Sequence, residues 1–371
     1  MPNFTGQLTQ NEIFSTLFNM IISMQVFTDN IRSDSSALVT KAKVDGSMYG
    51  DTKLYIATDV LGSTPWGADA EAVNLLDLDR PVPPDVQAIK IDTFRQIRVT
   101  TDQYMSKRAF ADEGTFIQFN SAILGWLSDT KRVYDKKLYN AYIGTTKTTV
   151  GEQYKTVTLA DPSSETGGAN VNQAYNLRAL QISKEIEDIF DELDDANREY
   201  NDYGNLREVS KESCTIVMNS NYANEFRLVD IPAIFHNEKI IPEVKKLQSK
   251  FFGDVNTTGA NAPTPNTNVR SLIEVDFNTV KRDNPAYDKS KHIFPGDLWP
   301  SGVAYGAYDT YTENPKIICK IIGKLPPYMS AFEVETIFFN PRALNENHYL
   351  TFGHNTIEYL KNYPLITIEE N

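Results

Sequence analysis

Residues 109–143 open with Ala109-Phe-Ala-Asp-Glu-Gly-Thr-Phe-Ile-Gln-Phe119 and run on through Trp126, Tyr134 and Leu138 to Ile143. Within them Phe116, Phe119, Ile123, Leu127, Val133, Tyr134, Leu138 and Ala141 recur mostly at steps of three and four. That spacing places them on one helical face. At ~1.5 Å per residue the helix is about 50 Å long, well beyond an average core helix. Gly114 and Gly125 each weaken it by ~1 kcal/mol. A helix of this length reads either as an ordinary long core helix or as a spine with projecting elements before and after it. The flanking sequence decides between the two.

Before the helix come two strand-like runs. In Tyr49–Leu61, residues Leu54, Ile56, Thr58 and Val60 share one face; in Gln87–Thr100, Ile89, Ile91, Ile97 and Val99 do. The two dozen residues between them carry Gly62, Pro65, Trp66, Gly67, Pro81, Pro83 and Pro84. That gap is too long for a tight hairpin and too rich in proline for a sheet centre. The pattern predicts a two-stranded ribbon with a broad loop at its tip. An isolated ribbon is marginal in water, so it needs a surface to lie on, either its own chain or a neighbouring copy. Ahead of the ribbon, Ile13–Phe27 is apolar but interrupted by Asn19, Ser23 and Gln25, which reads as an amphipathic helix in an N-terminal arm.

After the helix, Tyr154–Leu159 reads as a short strand and 160–171 as a loop. A second helix is expected with Leu177, Leu180, Ile186, Ile189, Phe190, Leu193 and Tyr200 on its apolar stripe. Ser213-Cys-Thr-Ile-Val-Met-Asn-Ser220 reads as a buried strand, and Asn219 or Ser220 caps a short helix over Asn221–Leu228. Pro242–Phe252 suggests a short amphipathic helix, 257–269 a surface loop. Further strands are expected at Ser271–Phe277, Lys316–Gly323, Ala331–Asn340, Tyr349–Phe352 and Leu365–Glu369, with Phe332, Val334, Thr336 and Phe338 alternating on one face.

The 371 residues suffice for two domains, and the formal charge of -13 argues against a generic nucleic-acid or anionic-membrane binder. No run approaches the length of a membrane span, and Ile13–Phe27 lacks the basic start of a signal peptide. Cys214 and Cys319 sit in apolar strands and read as buried reduced thiols. No phosphate-binding glycine loop, dinucleotide fingerprint or nucleophile elbow is present. The histidines His236, His292, His348 and His354 form no ligand motif; His348 and His354 read as a pair of surface or half-buried imidazoles, with convergence across a turn as the alternative. The acidic run Asp191-Glu-Leu-Asp-Asp195 lacks the spacing of a calcium loop and reads as a solvated helix face. No catalytic residue, metal or cofactor is expected. Carboxylates are plentiful, so a carboxylate-dependent soluble enzyme stays open as a different class.

The order arm, ribbon with a broad tip, long helix, then a mixed segment with Ile216-Val-Met-Asn-Ser-Asn-Tyr-Ala-Asn-Glu-Phe226, then strands at Phe332–Asn340 resembles the major capsid protein of tailed bacteriophages. That Hong Kong-type capsid fold is shared with encapsulins and the herpesvirus floor domain. The resemblance implies an α+β fold. Its parts would be an N-terminal arm (1–44), an extended β-ribbon loop (45–98), a peripheral domain with the spine helix (99–160), an axial domain (161–325) and C-terminal strands returning to the peripheral domain (326–371). It is architectural, with no short diagnostic motif behind it, and so rests on analogy.

The resemblance further implies self-assembly into hexamers and pentamers of an icosahedral shell around packaged double-stranded DNA, contacted non-specifically. The partners would be copies of the chain, a separate scaffolding protein and a portal, with no membrane. The location would be the virion capsid, after the host cytoplasm. An encapsulin-like cargo shell is the alternative within the same fold. Trp66 near the ribbon tip and Phe14, Leu17, Phe18, Ile21 and Phe27 of the arm are the candidate assembly contacts, since aromatic and large apolar residues concentrate in interface cores. The lysine–asparagine crosslink of some family members finds no matching placement here.

Overall fold

The computed structural model describes residues 38–46, 52–63, 80–101, 113–164, 167–228, 244–256 and 310–371. The expected arm helix, Trp66, the loop at 257–269 and the strand at 271–277 lie outside the described residues, as do the side chains of 113–124.

One helix, α2 (Glu113–Thr145, 33 residues), runs between two five-stranded sheets; a short α1 (Leu38–Ala42) packs on it. The first sheet has the order β1 (Lys43–Asp45), β10 (Tyr328–Asn340), β11 (Asn345–Asn355), β3 (Asp85–Thr101), β2 (Thr52–Ala57). The second has the order β4 (Tyr154–Val157), β12 (Leu365–Glu370), β9 (Ile317–Ile322), β5 (Thr215–Asn219), β6 (Val244–Leu247). A small pair, β7 (Gly253–Asn256) with β8 (Thr310–Glu313), stands apart from both. The remaining α-helices among the described residues are α3 (Gly168–Asp194) and α4 (Ser220–Leu228). The last strand, β12, pairs with β9 and β4, and so lies in the second sheet with the buried β5.

Of the helical stripe read from the sequence, Leu127, Tyr134, Leu138 and Ala141 are buried and Val133 is half-buried, while the side chains of Phe116, Phe119 and Ile123 lie outside the described residues. Leu127, Tyr134, Leu138 and Ala141 join Tyr139, Tyr142 and Ile143 in one core. Leu350 and Phe352 from the first sheet and Val217, Ile317 and Ile322 from the second complete it. Burying each such side chain stabilises the fold by roughly 1.5–3 kcal/mol, so this helix is the element that couples the two sheets. Its C-terminal end approaches other backbone closely: a Cβ on Gly144 would sit 1.9 Å from the Phe251 carbonyl oxygen. Glycine is required there for space.

The central strands of the second sheet, β5 and β9, are buried on both faces, as an unbroken apolar run such as Ile317-Ile-Cys-Lys-Ile-Ile322 demands. Lys320 is the exception in that run. It is 1% exposed, and its ammonium donates to the carbonyls of Gly144 (2.9 Å) and Thr146 at the end of α2. A cation there satisfies carbonyls that a helix terminus leaves without partners. Asn219 caps α4 as expected: its Oδ1 accepts from the Asn221 amide at 3.1 Å while its Nδ2 donates to the Ile317 carbonyl at 2.9 Å.

Several expectations are corrected. Val244–Leu247, inside the stretch expected as a helix over Pro242–Phe252, is a strand parallel to Ile216–Asn219, followed by a 3-10 turn at Ser249–Phe251. Pairing with a buried neighbour outweighs four residues of local helical pattern. The helix α3 begins at Gly168, inside the expected loop 160–171. Its buried stripe is Ala174, Ala179, Ile182, Ile186, Ile189, Phe190 and Leu193, whereas Leu177 and Leu180 are exposed and Tyr200 is buried beyond the helix end. Between those leucines, Arg178 is buried. Its guanidinium makes a two-pronged contact with Glu370 on β12, at 2.8 and 3.2 Å. His348 and His354 share one strand and are both buried, so neither is a surface imidazole and no turn separates them.

Candidate assembly surfaces

The ribbon is real at its base. β2 pairs antiparallel with the first third of β3, from Thr52 opposite Lys90 to Ala57 opposite Asp85. The rest of β3, from Ile91 to Thr101, pairs with β11. A single 17-residue strand thus runs from the body of the first sheet into the ribbon.

The burial of the two ribbon strands follows composition on β3 and runs against it on β2. On β3 the odd residues face inward: Ile89 is 3% exposed, with Ile91, Ile97 and Val99 partly covered. On β2 the inward residues are Tyr55 and Ala57, while Leu54 and Ile56, the more apolar pair, are 61% and 64% exposed. Val60, Val82 and Val86 are exposed beside them. A strand that turns its apolar face to water has its partner elsewhere, or costs stability for no return.

At the end of the β2–β3 pair farther from β11, the ribbon is tied to the segment 195–210. Asp59 accepts from the Arg198 guanidinium at 2.5 Å and from the Leu206 amide at 2.9 Å. Arg207 donates to the Thr58 carbonyl, and Asn205 to Asp85 at 3.3 Å. The hydrogen bond from Arg198, with those from the Leu206 and Val60 amides, holds the Asp59 carboxyl at about 2.

A second projection is the far end of the β10–β11 hairpin, closed by a turn in which Asn340 Oδ1 accepts the Arg342 amide at 3.1 Å and Leu344 adopts a left-handed backbone (φ 52°). The expected division of β10 into two faces fails here. Ile337 (60%), Phe338 (59%) and Phe339 are exposed on both sides of the strand, and Val334 is half-covered. Phe94 and Trp126 are each 60% exposed as well. The signal for this surface was present in Thr336-Ile-Phe-Phe339, a run apolar in both parities, which a strand with one wet face does not carry.

Where α2 crosses β10 and β11 there is a buried polar joint. Lys131, 3% exposed, donates to Asp135 at 3.0 Å and to Ser330 at 3.3 Å; the Tyr328 hydroxyl donates to Asp135 at 2.7 Å. His354 Nδ1 lies 2.9 Å from the Asn355 carbonyl oxygen, which only accepts, so Nδ1 carries the proton. Nε2 then accepts the Tyr134 hydroxyl at 3.0 Å. Burial pushes the His354 pKa down and the Tyr328 pKa well up. These groups are paired with one another across the helix–sheet boundary, which is the work of a structural lock. Among the described residues no three His, Cys, Asp or Glu side chains gather as a metal site. Cys214 and Cys319 are buried free thiols whose pKa values burial pushes up to about 11 and about 12. Such thiols are poor nucleophiles at neutral pH.

The expected contacts Trp66, Phe14, Phe18, Ile21 and Phe27 lie outside the described residues. The exposed apolar residues brought together by the fold are Leu54, Ile56 and Val86 on the ribbon and Ile337, Phe338 and Phe339 on the hairpin.

No family profile and no curated protein sequence matches the chain. Solved structures do. A chain of the capsid structure of Staphylococcus phage Andhra is similar over 100% of this chain and 88% of its own, with a TM-score of 0.56 at 11% identity. A chain from the structure of head fiber and inner core protein gp22 of native bacteriophage P68 is similar over 100% and 88%, with a TM-score of 0.53 at 10% identity. At such identity the likeness speaks to the fold alone, and that fold, an α+β arrangement of two sheets on one long helix, is the fold of phage capsid structures.

Proposed function

We propose that this chain is the major capsid protein of a tailed bacteriophage, a structural protein without catalytic activity. Many copies close into hexamers and pentamers of an icosahedral shell around a double-stranded DNA genome. The parts are those of the Hong Kong-type organisation: α2 is the spine helix, β2 with the first third of β3 is the root of the extended loop, and the sheet around β9 and β5 belongs to the axial domain. Copies of itself are the principal partners, with a scaffolding protein and a portal. Trp66 and the arm residues Phe14, Leu17, Phe18, Ile21 and Phe27 are further contacts to neighbours, and the virion is the final location.

The observation that carries this reading is the outward apolar face of β2. Leu54 and Ile56 are each more than 60% exposed, although the opposite face of β2 packs on its own chain through Tyr55 and Ala57. Covering them with a neighbour contributes roughly 1.5–3 kcal/mol for each side chain, repeated at every copy of a closed lattice. The test is sedimentation and negative-stain microscopy of the purified protein, alone and with residues 62–84 deleted. Closed particles from the intact chain, and soluble unassembled subunits from the deletion, are expected. An intact chain that stays monomeric at high concentration overturns the shell reading; unimpaired shells from the deletion overturn the role of the loop.

A further inference from the structure

Among the described residues the first sheet ends in two open edges, and they match each other. Strand β1 covers only Tyr328–Ser330 of β10, and among the described residues no strand pairs with the outer side of Val334–Asn340. At the opposite edge, β2 pairs with β3 on one side, and among the described residues with nothing on the other. Soluble proteins blunt such edges with prolines, bulges or clustered charge. Val334-Glu-Thr-Ile-Phe-Phe-Asn340 contains no proline and one charged residue. Its seven residues are about the length of the six in β2.

We infer that β2 of one copy adds to the Val334–Asn340 edge of the next, so that the first sheets of neighbouring copies join into one continuous sheet around a closed ring. This rests on the shell reading and specifies which surface receives the ribbon. Alternation supports the match. Leu54 and Ile56 lie on the same sheet face as Phe94 and the other even residues of β3, and that face on β10 carries Val334, Thr336 and Phe338. The other face sets Lys53 and Tyr55 of β2 against Glu335, Ile337 and Phe339 of β10. Apolar side chains meet apolar ones on both faces, and the lysine shares its face with the acidic residue; cross-strand pairs of these kinds each stabilise a sheet. The contact is heterologous, edge against a different edge, which is the kind that generates rings. Backbone hydrogen bonds supply affinity and the alternating side chains supply register.

Two measurements test it. The first is amide hydrogen exchange on the wild-type chain, unassembled and assembled. Protection at 52–57 and 334–340 is expected to rise at least tenfold on assembly. The second uses Leu54→Cys and Phe338→Cys, together and singly, oxidised after assembly; the native thiols are buried and do not compete. The double variant is expected to give a disulfide ladder ending at closed rings, and each single variant none. Particles that form without new protection at either edge overturn the inference and leave the shell reading standing. Dimers from Phe338→Cys alone show that β10 pairs with itself and also overturn it. A wild-type chain that never assembles removes the shell reading and this inference together.

Discussion

The ammonium of Lys320, in the middle of a buried strand, lies 2.9 Å from the carbonyl oxygen of Gly144, in the last turn of the long helix. A second carbonyl, that of Thr146, takes the same cation. This contact joins β9 of the second sheet to the element that also carries the first. Replacing Lys320 by Met keeps the volume and removes the donor, leaving two buried acceptors unmatched. Each such loss costs about 1–3 kcal/mol. A fall of about 2–5 kcal/mol in unfolding free energy is expected from urea titration; an unchanged midpoint shows that the lysine is not what holds the helix end.

Gly125 and Gly144 of α2 should respond in opposite directions. A Cβ at Gly125 meets nothing within 4 Å, so Gly125→Ala removes backbone freedom from the unfolded chain and gains up to ~1 kcal/mol. A Cβ at Gly144 collides with the backbone of Phe251 at 1.9 Å, and Gly144→Ala must push the helix end away from its neighbour. The expected loss exceeds ~2 kcal/mol, the scale of an overpacked core site. Thermal melts of the two variants decide it, and equal shifts reject the space argument.

The buried imidazole of His354 makes the helix–sheet joint sensitive to acid. Burial holds its pKa below the usual value and the Arg95 charge lowers it further; the Asn355 carbonyl, Asp135 and Asp92 act the other way. The unfolded chain takes up this proton near pH 6.5, before the folded one does. Stability from the neutral ring is therefore complete above about pH 6.5 and is lost as pH falls toward the depressed folded value. Urea midpoints measured from pH 7.5 to 5 should drop for the wild type and flatten in His354→Gln. An identical slope in both would place the titrating group elsewhere.

Just beyond the far end of β2, Asp59 and Arg198 form an exposed ion pair at 2.5 Å, which solvent screens, so it should matter little to global stability. Its effect is local. Arg198→Ala is expected to leave the melting temperature unchanged and to raise the rate of limited proteolysis within 52–63. High salt should reproduce part of that effect in the wild type. A variant with unaltered ribbon cleavage would show that the amide of Leu206 and the side chains of Asn205 and Arg207 suffice without it.

Much of the secondary structure was legible. The extent of α2, the buried strands at β5 and β9, and the Asn219 cap all follow from local rules: a repeat of three and four, an unbroken apolar run, an acceptor placed before a helix. Each of those rules concerns neighbours in the chain. The misreadings share another origin. Val244–Leu247 became a strand because β5 lies beside it, and His354 became buried because α2 crosses its strand. Leu177 and Leu180 are exposed while Arg178 between them is buried, its charge met by Glu370, 192 residues further on.

By itself, then, the amino-acid order determined the long helix, the buried strands β5 and β9 and the Asn219 cap, and that one helix is long enough to serve two sheets. Only the tertiary structure decided which side of β2 meets water. Apolar residues at alternate positions guarantee that a strand has two unlike faces. Which of those faces is covered depends on the elements laid against it, and on the ribbon the inward side is set by Ile89 and Tyr55, not by the greasier Leu54 and Ile56.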